Sequence, residues 1–487
     1  MNPVSAEATP ESAGLPSRAV LQFLNGCEEA RLELHALELL RHGRTLVRAA
    51  WRPFRLDAPH ALYSVSKSFV STAVGFAVAE GLFGLDDPLP TLFPADLPDV
   101  PDGQLAAMRV RDLLTMTTGH ADDVTGELYG RPQPWVRSFL AQPVPFAPGA
   151  HFAYSSAATF MLSALVEQRS GLRLLEYLEA RLFAPLGIGG ATWERNAAGE
   201  TVGGWGLSLP VSALARLGQL YLQRGVWEGR QLLPAGWAEQ ATCAQVSSGD
   251  AAAPGAGDWA QGYGFQFWRC RHGAYRADGA FGQFALVMPE QGAVLALLSS
   301  VEDMQAVLDQ VWTHLLPAFR SGPLPADDAA LTALRARCAS LGVPVPGGDH
   351  TSVSAGRLAG RRFSFPANDW GLEGVRFGDI GPDVPLTLTF THGTYAHRAG
   401  FGDWTTHTTA GPRARDTLLP PMHWAGAAAW TGHGTLHVRL LDLDGHGTLS
   451  LHLSHAHAAR QESLRVEAQF LRSFRQDGVL RVAGTPG

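Results

Sequence analysis

The spacing of apolar positions divides the chain into two unlike parts. Residues 17–32 repeat at helical spacing. Two strand-like runs follow, Ala36–Leu40 and Thr45–Ala50, joined by Arg41-His42-Gly43-Arg44, a hairpin signal. From Val65 to Glu80, apolar or small residues occupy nearly every face, as in a helix buried at the centre of a domain. Between 81 and 240, helical pieces alternate with Pro/Gly loops such as Pro145-Phe146-Ala147-Pro148-Gly149. Strands return over 262–299, with a hairpin at Pro289-Glu290-Gln291-Gly292, and a helix over 302–317 closes the unit. This order predicts an α+β fold, an antiparallel sheet flanked by terminal helices beside an all-helical lobe.

The pattern changes after 320. Pro/Gly-rich stretches at 321–328 and 342–349 bracket a short helix and mark 321–349 as a linker. From 350 to 487 short alternating runs take over, for example Thr435–Leu443 and Thr448–Leu453 around Asp444-Gly445-His446-Gly447, and predict an all-β accessory domain. The expected organisation is therefore 1–320, a linker over 321–349, and 350–487. No repeat of fixed period is present.

Composition narrows the partners. A net charge of −7 without a basic block argues against nucleic acid. No apolar run is long enough to cross a membrane without a charge or turn residue. Met1-Asn2-Pro3-Val4-Ser5-Ala6-Glu7 lacks the basic and apolar regions of a signal peptide, so a cytoplasmic location is expected. The four cysteines, Cys27, Cys243, Cys270 and Cys338, show no paired spacing and read as reduced core thiols. Ten of the 18 histidines lie between 392 and 457. His437 and His452 fall on the strand face opposite Leu436, Val438, Leu451 and Leu453, so they read as surface residues and no metal is expected.

One residue changes the picture more than any average. Of 38 basic residues, a single one, Lys67, is lysine. Arginine keeps its proton at any workable pH, whereas a buried lysine loses it readily and acts as a base. Lys67 stands in Tyr63-Ser64-Val65-Ser66-Lys67-Ser68-Phe69, three residues after Ser64. Ser-x-x-Lys pairs a nucleophilic hydroxyl with an amine on one helix face. A helix start at Ser64 adds unpaired N–H groups and positive dipole, which favour both an alkoxide-like nucleophile and an oxyanion. Burial is expected to lower the Lys67 pKa. Tyr154 is the second candidate. It precedes a helix with the apolar face Ala157, Phe160, Met161, Ala164 and Leu165, which aims its phenol at a cleft. Asp122, Asp123, Glu127 and Tyr129 read as a solvated loop in preference to one that overhangs the site, and Trp205, between glycines, as a pocket wall or a packing residue.

These segments resemble the serine β-lactamase and penicillin-binding-protein superfamily, in its class C-like branch of esterases and amide hydrolases. The resemblance spans 10 to about 320. It runs through Tyr63–Phe69, Glu80-Gly81-Leu82-Phe83-Gly84-Leu85-Asp86-Asp87, Asp112-Leu113-Leu114-Thr115-Met116-Thr117-Thr118-Gly119, Tyr154-Ser155-Ser156 and Gly203-Gly204-Trp205-Gly206-Leu207. It implies Ser64 as acylated nucleophile, Lys67 as its base and Tyr154 as acid/base for the leaving group and the deacylating water. The third family motif, Lys/His-x-Gly, aligns with Ala277-Asp278-Gly279, which makes the Ala280 N–H the oxyanion-hole partner of the Ser64 N–H. Ser156 replaces the Asn of the Tyr-x-Asn motif, and with Trp205, Asp278 and Gly279 it is expected to line the substrate. Ala277 removes the cation that would hold a substrate carboxylate, unless Arg276 or Arg271 replaces it. The expectation is a serine hydrolase of small esters or amides, working without a cofactor. The alternatives are a β-lactamase or D-amino-peptide hydrolase, and a binding or sensor protein that acylates without turnover.

Overall fold

The computed structural model describes residues 7–129, 133–253, 255–410, 413–414, 417–418, 422–432, 434–458, 461–471 and 478–486. They divide into two compact units. The first runs through Ala49 and adds Leu56–Ser299 and Asp303–Ser340; the second takes Ala50–Arg55, Ser300–Glu302 and the chain from Leu341 onward.

The first unit begins with helix α1, Ser17–Glu29, whose buried face is Ala19, Val20, Phe23, Leu24 and Cys27. The Glu11 carboxylate accepts from the Ser17 backbone N–H at 2.7 Å and from its hydroxyl at 3.0 Å, satisfying donors at the helix start. Strands β1 (Leu34–Arg41) and β2 (Arg44–Ala50) form the expected hairpin. Late in the chain come β3 (Tyr275–Gly279), β4 (Gln283–Met288) and β5 (Ala293–Ser299). The sheet order is β2-β1-β5-β4-β3, with the short strand Trp268–Arg269 at the edge beyond β3. The pairs are antiparallel: Leu37 faces Leu297 in β1–β5, and Ala285 faces Ala277 in β4–β3. Helix α1 packs with Met304–Gln310 and its continuation Val311–Leu315. Sheet and terminal helices thus take the predicted form.

Helix α2, Ser66–Ala79, is buried continuously from Ser66 through Ala77, which explains its lack of a polar face. Each Phe or Val side chain removed from water there contributes about 1.5–3 kcal/mol. It packs against α3, Ser156–Ser170, within the helical lobe. Helix α4, Val211–Leu222, covers β1, β4 and β5. A small sheet that the sequence pattern missed joins His60–Ala61, Leu207–Leu209 and Thr192–Trp193, tying the approach to Ser64 to the segment after Gly203. The helix inside the Pro/Gly-rich stretch, α5 (Asp328–Ser340), packs on α1, with Arg337 paired to Glu28 and Arg18 to Asp327. All four cysteines are free, but only Cys27 and Cys270 are core thiols; Cys243 is exposed and Cys338 half-buried.

The second unit is the all-β domain that alternation predicts. Its ten-stranded sheet runs from Gly393–Phe401 to Thr405–Thr409, and Gly400 and Phe401 pair in parallel with Ala427 and Ala428, closing it into a barrel. Leu436, Val438, Leu451 and Leu453 are buried inside, while His437 and His452 pair across the outer face with rings stacked at 4.1 Å. His397 departs from the surface reading. It is buried, its Nδ1 lies 3.0 Å from His407 Nε2, and burial pushes its pKa down to about 3, with His407 adding to the shift. His433 and the His457 side chain fall outside the described residues. Among the described residues no helix is long and apolar enough to cross a membrane.

Candidate active site

Ser64 sits in a single tight turn, Tyr63–Val65, immediately ahead of α2. The entry to that turn is fixed by the Leu62 N–H, which donates to Leu207 O at 2.8 Å. Tyr63 adopts φ 48°, a strained value for a non-glycine residue, and strain of this kind needs surrounding structure to hold it. Ser64 remains half-buried, open enough to meet a ligand.

Lys67 lies one helical turn on and is only 1% exposed. Its Nζ donates to Ser64 Oγ at 3.0 Å, Ser156 Oγ at 2.9 Å and Gly204 O at 2.6 Å. These three acceptors satisfy an ammonium. Loss of one proton leaves a lone pair that can accept from the Ser64 hydroxyl. Burial lowers the Lys67 pKa to about 7, against the opposing pull of Asp123 and Asp278.

The Gly204 carbonyl reaches Lys67 because the chain carries no side chain there. A Cβ at Gly204 would lie 2.7 Å from Ser156 O and 2.9 Å from Ser156 Cβ, so the bend at Gly204 presses directly on the first turn of α3. The Gly-Gly-Trp-Gly motif thus serves to bring a carbonyl to the buried amine. Ser156, expected to meet substrate, accepts a hydrogen bond from Lys67.

Tyr154 completes the group. Its phenol lies near enough to Ser64 for that side chain to offset part of the effect of burial on its pKa, and its ring lies under Lys67 Nζ, 5.0 Å from centroid to nitrogen. Trp268 stacks on it at 5.4 Å and Tyr263 meets it edge-on at 6.1 Å. Burial pushes the phenol above its ordinary pKa, so Tyr154 holds its proton at neutral pH. The loop after Thr118 is more than a solvated excursion. Asp123 is exposed, yet its Oδ1 accepts from Ser155 Oγ at 2.7 Å and from Thr125, and Thr125 Oγ1 accepts from the Ala157 N–H at 2.8 Å. The loop therefore caps α3 and holds the Ser155 side chain.

The third motif arrives on β3. A Cβ at Gly279 would stand 2.3 Å from Leu62 O, so this glycine is what allows the strand end, and Ala280 after it, to approach the Ser64 turn. Phe281 has φ 63°, and its ring packs edge-to-face on Tyr63 at 5.9 Å, joining the two strained residues beside Ala280 and Ser64. No cation is released here. Arg276 is fully buried, with Nε on Asp278 Oδ2 at 2.7 Å and Nη1 on Asp258 O at 3.0 Å. Arg271 pairs with Asp258 at 2.9 Å and Asp309 at 2.6 Å. Both candidates for a substrate carboxylate are already held by carboxylates of the protein. Asp278 faces Arg276 from the same strand, and Trp205 is anchored by donation from its Nε1 to Glu194 Oε2 at 3.1 Å.

The sequence profile of the beta-lactamase family matches residues 34–316, more than half of the chain and all of the residues just described from Ser64 to Phe281. The chain belongs to this family. Within it, the sequence is 30% identical over 202 residues to Esterase EstB of Burkholderia gladioli, covering 37% of this chain and 51% of that protein. It is 28% identical over 299 residues to the 6-aminohexanoate-dimer hydrolase of Paenarthrobacter ureafaciens, covering 57% of this chain and 74% of that one. The match to the esterase thus spans about half of that protein's length. The fold likewise resembles the solved structure of EstCE1, described as a hydrolase with promiscuous acyltransferase activity, with a TM-score of 0.51 and 17% identity over 61% of this chain and 99% of that one. Relatives named for esters, amides and, in Yersinia enterocolitica, β-lactams share the family, so membership alone does not select the substrate.

Proposed function

We propose that the protein is a serine hydrolase that cleaves a small ester or amide through an acyl-enzyme on Ser64. The observation that carries this reading is Lys67: buried, 3.0 Å from Ser64 Oγ, with a pKa near 7. As the neutral amine, Lys67 accepts the Ser64 proton while Oγ attacks the substrate carbonyl. The backbone N–H groups of Ser64 and Ala280 receive the oxyanion. Tyr154, protonated and close to Ser64, donates to the departing alcohol or amine, and the resulting phenolate is reprotonated from Lys67. In the second half the same pair activates water against the acyl-enzyme. A base and an acid on one nucleophile favour turnover over the alternative of an acylated sensor.

Engagement of Arg276 and Arg271 by carboxylates of the protein favours substrates without a carboxylate at this edge. Activated short-chain esters are expected to exceed cephalosporins in kcat/KM. The comparison of p-nitrophenyl butyrate with a chromogenic cephalosporin tests this, and a higher value for the cephalosporin would refute the substrate argument.

Gly204→Ala is expected to cost about 1–3 kcal/mol of stability through overpacking on Ser156. Displacing the carbonyl that holds Lys67 is further expected to lower kcat/KM by about a hundredfold, as misplacements near 1 Å do. Thermal melts and ester kinetics read the two effects separately. Wild-type kinetics in a destabilised Gly204→Ala would show that the carbonyl does not position the base.

A further inference from the structure

Three aromatic side chains gather one residue from the carbonyl that holds Lys67. Tyr129 and Trp135 lie 5.3 Å apart between ring centroids, Tyr129 and Trp205 5.9 Å, and Trp135 and Trp205 6.2 Å. Each ring is held from behind. Trp135 rests edge-on against Phe160 of α3 at 5.1 Å. Trp205 is fixed at both ends, its carbonyl accepting from Trp193 Nε1 at 2.7 Å and its own Nε1 donating to Glu194. Tyr129 closes the segment Thr125–Leu128, which the Thr125 hydroxyl fastens to the first turn of α3.

These rings are not core packing. Tyr129 is 47% exposed, and Trp135 and Trp205 are half-buried. Rigid, partly exposed rings present apolar area at little cost in side-chain entropy, and stacked or edge-on aromatic pairs favour one another beyond simple burial. Tyr263 and Trp268, both backed by Phe152, pack on Tyr154. The arginines nearest the third motif are paired within the protein.

We propose that Tyr129, Trp135 and Trp205 form the wall of a subsite that holds a neutral aromatic group of the substrate beside Ser64. The proposal rests on the hydrolase reading and names its substrate class: esters or amides with an uncharged aryl group close to the scissile bond. Trp205 directly follows Gly204, whose carbonyl accepts from Lys67 at 2.6 Å, so the wall is continuous in the chain with the segment that holds the base.

The test varies one side of the bond at a time. p-Nitrophenyl phenylacetate is compared with p-nitrophenyl acetate, and benzyl acetate with ethyl acetate. At least one aryl member is expected to lead its partner by about tenfold in kcat/KM, the scale of an added aromatic contact. Tyr129→Ala is expected to bring that ratio down at least about fivefold, and Tyr129→Phe to preserve it. A ratio near one in the wild type, or one unchanged in Tyr129→Ala, overturns the proposal. So does a preference for acetylcholine over its neutral isostere 3,3-dimethylbutyl acetate and over benzyl acetate, which would make the wall a cation site served by Glu194. A binding arm separates this idea from the chemistry beneath it. Ser64→Ala protein is titrated calorimetrically with N-benzylacetamide and N-methylacetamide. Tighter binding of the benzyl compound, lost in the Ser64→Ala/Tyr129→Ala protein, supports the wall even if no ester is turned over. Equal binding of the two amides overturns it even if every ester is.

Discussion

Replacing Ser64 by alanine is expected to abolish ester hydrolysis, with a loss of at least about ten-thousandfold in kcat, the scale seen when a nucleophile that works as a unit with its base is removed. The fold is expected to survive. Ser64 is half-buried in a turn, and Lys67 keeps two of its three acceptors, Ser156 Oγ and Gly204 O. The prediction is sharper than a routine serine deletion because Lys67 touches two hydroxyls, Ser64 at 3.0 Å and Ser156 at 2.9 Å. Two features separate them. Ser64 is near enough to the Tyr154 phenol to shift its pKa, and it stands in the tight turn ahead of α2. Ser156 is the first residue of α3, with the Gly204 backbone pressed against its carbonyl and Cβ. A fluorophosphonate probe should add one adduct to the wild type and to Ser156→Ala, and none to Ser64→Ala. Labelling that persists in Ser64→Ala would transfer the nucleophile to another residue.

Much of this arrangement is legible in the chain because its strongest elements are local. Ser64 and Lys67 are three residues apart on one helix, and the sole lysine of an arginine-rich chain advertises its chemistry. The all-round apolar character of 65–80 announces a central helix, and alternation after 350 announces strands. What stays hidden is set by distant contacts. The Lys67 bonds to Ser156 and Gly204 span 89 and 137 residues, and nothing in either short segment indicates the other. Asp123 reads as a solvated acid because it is exposed; its tie to Ser155 appears only when loop and helix meet. The barrel closes through two residue pairs, Gly400 with Ala427 and Phe401 with Ala428, too few to mark a sequence pattern. The Ala277-Asp278-Gly279 segment shows the lost cation by itself, whereas the capture of Arg271 depends on Asp258 and Asp309, whose significance lies entirely in the folded neighbourhood.

Lys67→Arg separates a base from a charge. The guanidinium keeps the positive charge and can still donate to Ser64, Ser156 and Gly204, so a purely structural or ion-pairing role would tolerate it in part. It holds its proton throughout the working range, so a base role would not. The expected loss is at least about a hundredfold in kcat, within the usual contribution of a general base. Circular dichroism must show the variant folded, since the larger head group enters a fully buried site. The wild-type pH profile carries the same argument with a defined sign. The reactive form of Lys67 is the neutral amine, and burial sets its pKa at about 7, so kcat/KM should rise with pH through that region and level off above it. Were the Tyr154 phenolate the base, the rise would come far later, because burial lifts that phenol above its ordinary range. An ascending limb near 7 that disappears in Lys67→Arg assigns the proton to Lys67. A limb that persists in the variant with near-wild-type turnover would leave the only lysine of the chain a structural residue and remove the base from the mechanism.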